Sequence, residues 1–449
     1  MEKIKQKPIE RLKTVLIVLL VVSMLVLASL YIGGAQFFTN SAAMNSSDMP
    51  KGSVPVGNDI PKFASVFDKD LLAVSFIGIR CEDEGGGAYG SEPAARDLFD
   101  FAAEPLHSLL SSSATVSVSN MQEFEKALEG ERYICMSFVS SLPYQIIYAL
   151  TGEYTAPLGS NFAINPDTVL ISFDMDRATS LYLICEDKVY VSKGDYFLRT
   201  SELLAMASDS RLNEFSAEGK IFVSETSPLV QTVSLSNAAV ADTEGLNRIL
   251  SLLDYGEEED VTPEELMDYT AVAPHGTLSV ADGRLVYSSA SESGIPLSAF
   301  LDGSKSDLDI DMYDVLLSSV SLIESVRAAI PLASGSAFSL YLDGFYRKDD
   351  MYTVVFGICE NGIPIFGDGL PYFAKITVQG GRLKEFEYRL ISGELSGYAY
   401  SPFSSAWEYR YASLGADIKS MLLRYNIVSL PCDGMGAAWF YTGERTVAQ

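Results

Sequence analysis

The sequence predicts an α+β protein: an N-terminal transmembrane helix followed by an ectodomain of two to three modules, each a curved antiparallel sheet covered by helices. Three observations lead there. Residues 14–32, TVLIVLLVVSMLVLASLYI, are nineteen residues without a charge. At about 1.5 Å per residue they are long enough to cross a hydrocarbon core of roughly 30 Å. The remaining chain mixes apolar runs of helical period with period-two runs separated by glycine turns, the pattern of helices laid on antiparallel hairpins. Finally, a hydrophobic content of 48% with 24 tyrosines belongs to a folded ectodomain rather than a disordered stalk.

Taken in order, residues 1–13 form a basic tail, with Lys3, Lys5, Lys7, Arg11 and Lys13 against Glu2 and Glu10. The positive-inside rule holds that end in the cytoplasm, so the bulk of the chain is expected outside a cell membrane that it crosses once. A cleaved signal peptide is the competing reading, but its apolar region usually runs about 7–15 residues, shorter than this one. Ser29 and Gly33 are four apart and form a small-xxx-small face for packing against another span. Residues 33–66, rich in Gly, Ser, Asn and Pro, read as a flexible tether.

An N-terminal α+β ectodomain is expected over 67–241. Its strands are 71–79, 114–119, 133–139, 168–173, 180–185 and 189–192, with CEDEGGGAYGSE as a loop after the first. Pro93 suits the first turn of a helix that Pro105 should kink. Asn120 with Glu123 caps a short helix over 121–129, residues 143–150 look helical, and Ser201 is placed to cap ELLAMAS. A middle module, 242–304, carries an apolar helical run over 246–253, the capping box Thr262-Pro263-Glu264-Glu265, and a hairpin turning at Asp282-Gly283. The C-terminal α+β domain, 305–449, opens with a helix over 313–330. Strands follow at 338–345, 352–359, 363–366, 374–378 and 383–390, turning at Asn361-Gly362 and Gly380-Gly381. Ile418, Met421, Leu422 and Tyr425 are spaced for a helix over 416–425, and AAWFY near the end reads as a strand. LSVADGRLVYSS and ITVQGGRLKEFEYRL echo each other as strand, glycine turn, Arg-Leu, strand.

Chemistry is sparse. A net charge of −27 repels nucleic acid and anionic headgroups. Cys81, Cys135, Cys185, Cys359 and Cys432 are odd in number, widely spaced and without CxxC, so they form neither a disulfide framework nor a zinc site, though one bridge stays open. Such sparing cysteine use outside the membrane points to a bacterium. The two histidines are His107, expected on the surface of its helix, and His275, in a turn before a strand. HExxH, GxSxG and SxxK are absent. Gly85-Gly86-Gly87-Ala88-Tyr89-Gly90 matches GxGxxG, but Glu82, Asp83 and Glu84 beside it would repel a pyrophosphate. Asp307, Asp309 and Asp311 resemble the start of a calcium loop without its sixth-position glycine or final glutamate. Trp407 and Trp439, with Tyr398, Tyr400, Phe403, Tyr409 and Tyr411, would serve either as core or as a sugar-stacking surface. No catalytic residue, cofactor or metal site is expected.

The segment AFSLYLDGFYRKDDMYTVVFGICENGIPIFGDGLPYFAKITVQGGRLKEFEYRLISGE resembles the recurrent module of the YycH and YycI proteins of Gram-positive bacteria, with its G-I-P-I-F strand, glycine turn and aromatic strand. GTLSVADGRLVYSS and EFEKALEGERYICMSFVSSLPYQII are similar to YycH, more than to YycI. The resemblance implies a non-enzymatic signal-anchored regulator of a two-component system. Its partners would be the membrane, the cell-wall sensor histidine kinase WalK and a homologous anchored regulator. The alternatives are a wall-polymer or peptide binding module and an acidic-residue cell-wall hydrolase.

Overall fold

The computed structural model describes residues 69–111, 116–152, 164–186, 188–218, 220–258, 261–290, 294–301, 310–330, 338–402 and 416–445. The tail, the expected span with Ser29 and Gly33, and the tether lie outside them. No helix among the described residues is long and apolar enough to cross a membrane. What is described is α+β, with mostly antiparallel sheets.

A 3-10 turn, Lys69–Leu71, precedes the hairpin of β1 (Val74–Cys81) and β2 (Glu84–Tyr89). The glycine stretch expected as a loop is therefore a strand. The cause is packing: a Cβ on Gly86 would lie 2.6 Å from the Leu212 Cβ, and one on Gly87 would lie 2.3 Å from the Phe76 ring. Glycine lets these groups rest directly on the backbone of an edge strand. Helix α1 (Pro93–Ser111) follows and continues through Pro105. After it come β3 (Ser117–Ser119), α2 (Met121–Leu128) with Asn120 accepting from the Glu123 N–H as expected, β4 (Arg132–Phe138) and α3 (Tyr144–Thr151). The strands β5 (Thr168–Asp174), β6 (Arg177–Cys185) and β7 (Lys188–Phe197) complete a seven-stranded antiparallel sheet in the order β2-β1-β4-β5-β6-β7-β3. Helix α4 (Thr200–Ala207) is not capped by Ser201; Asp176, in the turn before β6, accepts from the Thr200 N–H at 2.6 Å.

Helix α1 lays Leu98, Phe99, Ala102, Leu106 and Leu109 on one face of this sheet. The other face buries Phe76, Tyr133, Cys135 and Leu170 beneath Phe124 of α2 and Phe222 of the hairpin β8 (Phe215–Glu218) and β9 (Ile221–Ser224). Both faces are covered, where helices on one face were expected.

Next come β10 (Val230–Asn237), α5 (Thr243–Leu252), α6 (Pro263–Met267) with the expected Thr262/Glu265 capping box, and β11 (Asp268–Ala273). Then β12 (Gly276–Ala281) and β13 (Arg284–Ser289) join through Asp282 and Gly283 at φ 52° and 69°, the left-handed pair that a tight hairpin turn demands. The short β14 (Ile295–Pro296) precedes α7 (Met312–Ala329). The last strands are β15 (Phe338–Lys348), β16 (Met351–Glu360), β17 (Ile363–Phe366), β18 (Ala374–Gln379), β19 (Arg382–Arg389), β20 (Ile391–Tyr400), β21 (Ala416–Asn426), β22 (Cys432–Met435) and β23 (Ala437–Arg445).

Eleven of these strands share one sheet, along the path β11-β12-β13-β19-β18-β16-β17-β21-β23, with β14 on β19 and β15 on β16. Strand β16 forks it. Its residues 351–356 pair with β18 and its residues 358–360 with β17, while β15 follows it on the other side. The two echoing hairpins stand side by side, β13 antiparallel to β19 with Tyr287 opposite Phe386. Helix α7 lies on β16 and β18 and against α5. A third sheet, β20-β10-β22, joins a strand of 67–241 to two of 305–449. Strands from all three expected segments thus share sheets.

The expected helix over 416–425 is a correction: those residues lie in β21. Leu423, Tyr425 and Ile427 are buried at period two, and β21 is paired by β23 and, in parallel, by β17. A short apolar run fits either period, and here two waiting strand edges decide.

Candidate functional site

The residues that the sequence singled out for chemistry are engaged in the framework. His107 is half-buried rather than on the surface; its ring stacks on Tyr148 at 4.2 Å, and Nδ1 lies 3.0 Å from the Tyr148 carbonyl. His275 sits between Tyr255 and Tyr287, with Nε2 3.0 Å from the Leu253 carbonyl. All five cysteines are free. Burial pushes the Cys135 thiol far up, and burial with the nearby Asp167 carboxylate takes Cys185 to about 12. A nucleophilic cysteine needs the opposite shift. Asp311 caps α7, accepting from Tyr313 and Asp314, while Asp307 and Asp309 lie outside the described residues. Trp439 packs on Tyr89 at 4.9 Å, and the Tyr400 hydroxyl donates to the Ala437 carbonyl. Tyr398 is 86% exposed. Trp407, Phe403, Tyr409 and Tyr411 lie outside the described residues. Among the described residues, no three or more His, Cys, Asp or Glu side chains gather as metal ligands.

The unusual electrostatics lie at the fork of β16, in residues that sequence reasoning missed. Strand alternation sorts them onto two faces. On one face is Glu360, 2% exposed, which accepts from the Asn361 side chain and lies 3.2 Å from the Tyr425 hydroxyl. Tyr425 donates to the Gln231 carbonyl on β10 at 2.7 Å. The single Tyr425 proton is thus shared between the Gln231 carbonyl and a Glu360 carboxyl oxygen, with the shorter bond to Gln231. Burial pushes the Glu360 carboxyl above its ordinary range, with the Tyr425 bond opposing.

On the other face Tyr341 lies over Gly357, where a Cβ would meet its ring at 2.4 Å. Beside it Asp343 accepts from the Ser140 hydroxyl at 2.7 Å; burial raises its carboxyl, and bonds from Ser140 and Tyr341 pull it back. Further along this face is Arg424. Its guanidinium carbon stands 4.2 Å from the Phe366 ring centre and 3.9 Å from that of Phe440. The strand order β17-β21-β23 produces this sandwich, since Phe366, Arg424 and Phe440 come from three neighbouring strands on one face. Arg424 Nε is buried without a hydrogen-bond partner, and burial lowers the guanidinium's affinity for its proton, against the pull of Asp368 and Tyr341. No periodicity could have found this triad, because its members meet only through strand pairing. The one visible signal was a lone arginine inside the apolar run MLLRY.

No protein-family model matches the sequence, and no curated protein does. An uncharacterized protein from Eubacterium rectale ATCC 33656, known from a crystal structure, is similar over 54% of this chain and 88% of its own, at 9% identity and a TM-score of 0.30. A likeness of that size carries no argument about fold or function.

Proposed function

We propose that the chain is a non-enzymatic, single-pass membrane-anchored regulator. Its extracytoplasmic α+β part passes envelope state to a membrane partner, a sensor histidine kinase of cell-wall homeostasis. The observation that carries this reading is the uncharged run 14–32 behind a basic tail. Two others support it: the resemblance of 337–394 to the YycH and YycI module, and the engagement of both histidines by backbone carbonyls and tyrosine rings. The test is crosslinking in living cells from residues placed along 14–32, with the trapped partner identified by mass spectrometry. A kinase is the expected catch, and a secreted form lacking 1–32 should lose regulation. A secreted form that regulates as well as the anchored one, or a mature protein starting after Ala35, would sink span-mediated coupling.

Binding of a wall polymer or peptide is a second reading, favoured by the aromatic-lined arginine on β21. Pull-down of the full chain with cell-wall sacculi distinguishes it.

A further inference from the structure

The arginine sandwich has the makings of a receptor. The chain holds 59 acidic against 32 basic residues, so a basic side chain seldom lacks an acidic neighbour. Arg96, Arg132, Arg177, Arg211, Arg248 and Arg327 each pair with a carboxylate. Arg424 is drawn into a half-buried position, yet no described carboxylate reaches ion-pair distance; Asp368 acts on it only from farther off. A guanidinium held like this has lost hydration without gaining a counter-charge, a cost that an incoming anion would recover.

The geometry also selects the anion. Rings on both faces leave the guanidinium only its in-plane N–H donors, the edge that accepts a planar carboxylate through two parallel hydrogen bonds. The rings fix its plane, so little rotamer freedom remains to be lost on binding. Leu422 and Ala438 share the face by alternation, Ala438 exposed, so apolar surface borders the charge. Asp368 and the net charge of −27 set a limit on the other side: a single cation in negative surroundings suits a monoanion and leaves a phosphate dianion under-neutralised.

We propose that Arg424, clamped by Phe366 and Phe440, binds one carboxylate carried on an apolar group, as at the free C-terminus of a peptide ending in apolar residues. This holds whether or not the chain is membrane-anchored, so it stands or falls apart from the regulatory reading. The test uses the full chain in lipid nanodiscs at pH 7, titrated by saturation-transfer NMR and calorimetry. The probes are N-acetyl-Phe-Ala with a free carboxylate, its C-terminal amide, and inorganic phosphate. The free acid is expected to bind, the amide about tenfold or more weaker, and phosphate not to compete. Arg424→Lys, which keeps the charge but not the fork, should weaken the acid about tenfold, and Arg424→Met should remove binding. Equal binding of acid and amide, no binding of either, or unchanged binding by Arg424→Met overturns the proposal. Phosphate binding more tightly than the acid overturns the carboxylate assignment. If Arg424→Met fails to fold by circular dichroism, the acid-against-amide comparison on the unaltered chain still decides.

Discussion

Two ionisable groups on opposite faces of the large sheet, Arg424 on β21 and Glu360 on β16, behave oppositely. Arg424 is charged and short of a partner, whereas burial favours the neutral form of Glu360 against the bond it accepts from Tyr425. The second case fixes a pH dependence. The folded carboxyl titrates above the unfolded value of about 4.3, so the folded state holds the proton more tightly. Its contribution is fully present below that unfolded value and is lost as pH rises through the raised one. Urea unfolding followed upward from pH 4 should therefore show stability falling as pH passes the raised value, with Asp343 and Glu92, whose carboxyls burial also raises, adding to the slope. Glu360→Gln, which keeps an acceptor for Asn361 and Tyr425 but does not titrate, should remove the Glu360 share of that slope. An unchanged slope in Glu360→Gln would place the titration elsewhere. None of this was legible in the sequence: Glu360 precedes an Asn-Gly turn, where an acid reads as solvated. Only the pairing of β16 with β17 and β21 buries it against Tyr425.

Elements were legible wherever the signal was local. The turns at Asp282-Gly283, Asn361-Gly362 and Gly380-Gly381 all adopt the positive φ that their sequences announce. The caps expected at Asn120 and Thr262 accept hydrogen bonds from their own first turns. Asp311, read in the sequence only as part of a calcium-loop-like run, is a cap too: removing its side chain in Asp311→Ala leaves the Tyr313 and Asp314 N–H groups without it. Asp311→Ala should cost about 1 kcal/mol, read as a lower urea midpoint with unchanged m-value. A stability equal to the parent chain would mean that the cap is replaced by water. Legibility failed where a partner supplied the decision. Strand β2 needed Leu212 and Phe76 to explain its glycines, α4 borrowed its cap from Asp176, and β21 became a strand between β17 and β23.

At the scale of the whole molecule, the α+β class was readable from alternating periods, but which strands would meet was not. Pairing β10 with β20 and β13 with β19 joins residues far apart in the chain, and composition carries no record of such pairings. A consequence follows for dissection. A fragment spanning 305–449 loses β13 and β10, leaving β19 and β20 with open edges, the state that favours aggregation. Expressed alone, it should be insoluble or lack dispersed NMR signals, while the intact 67–449 segment should melt in one transition. A soluble, well-dispersed 305–449 fragment would show that its sheet closes without them.

The fork in β16 has a last mechanical implication. A strand with one neighbour on each side can slide past both, and a single-residue slip turns every side chain to the wrong face. Here β15 grips one flank while β17 and β18 grip separate lengths of the other, so any slide must break three ladders together. The strand works as a keystone whose alignment three partners fix at once.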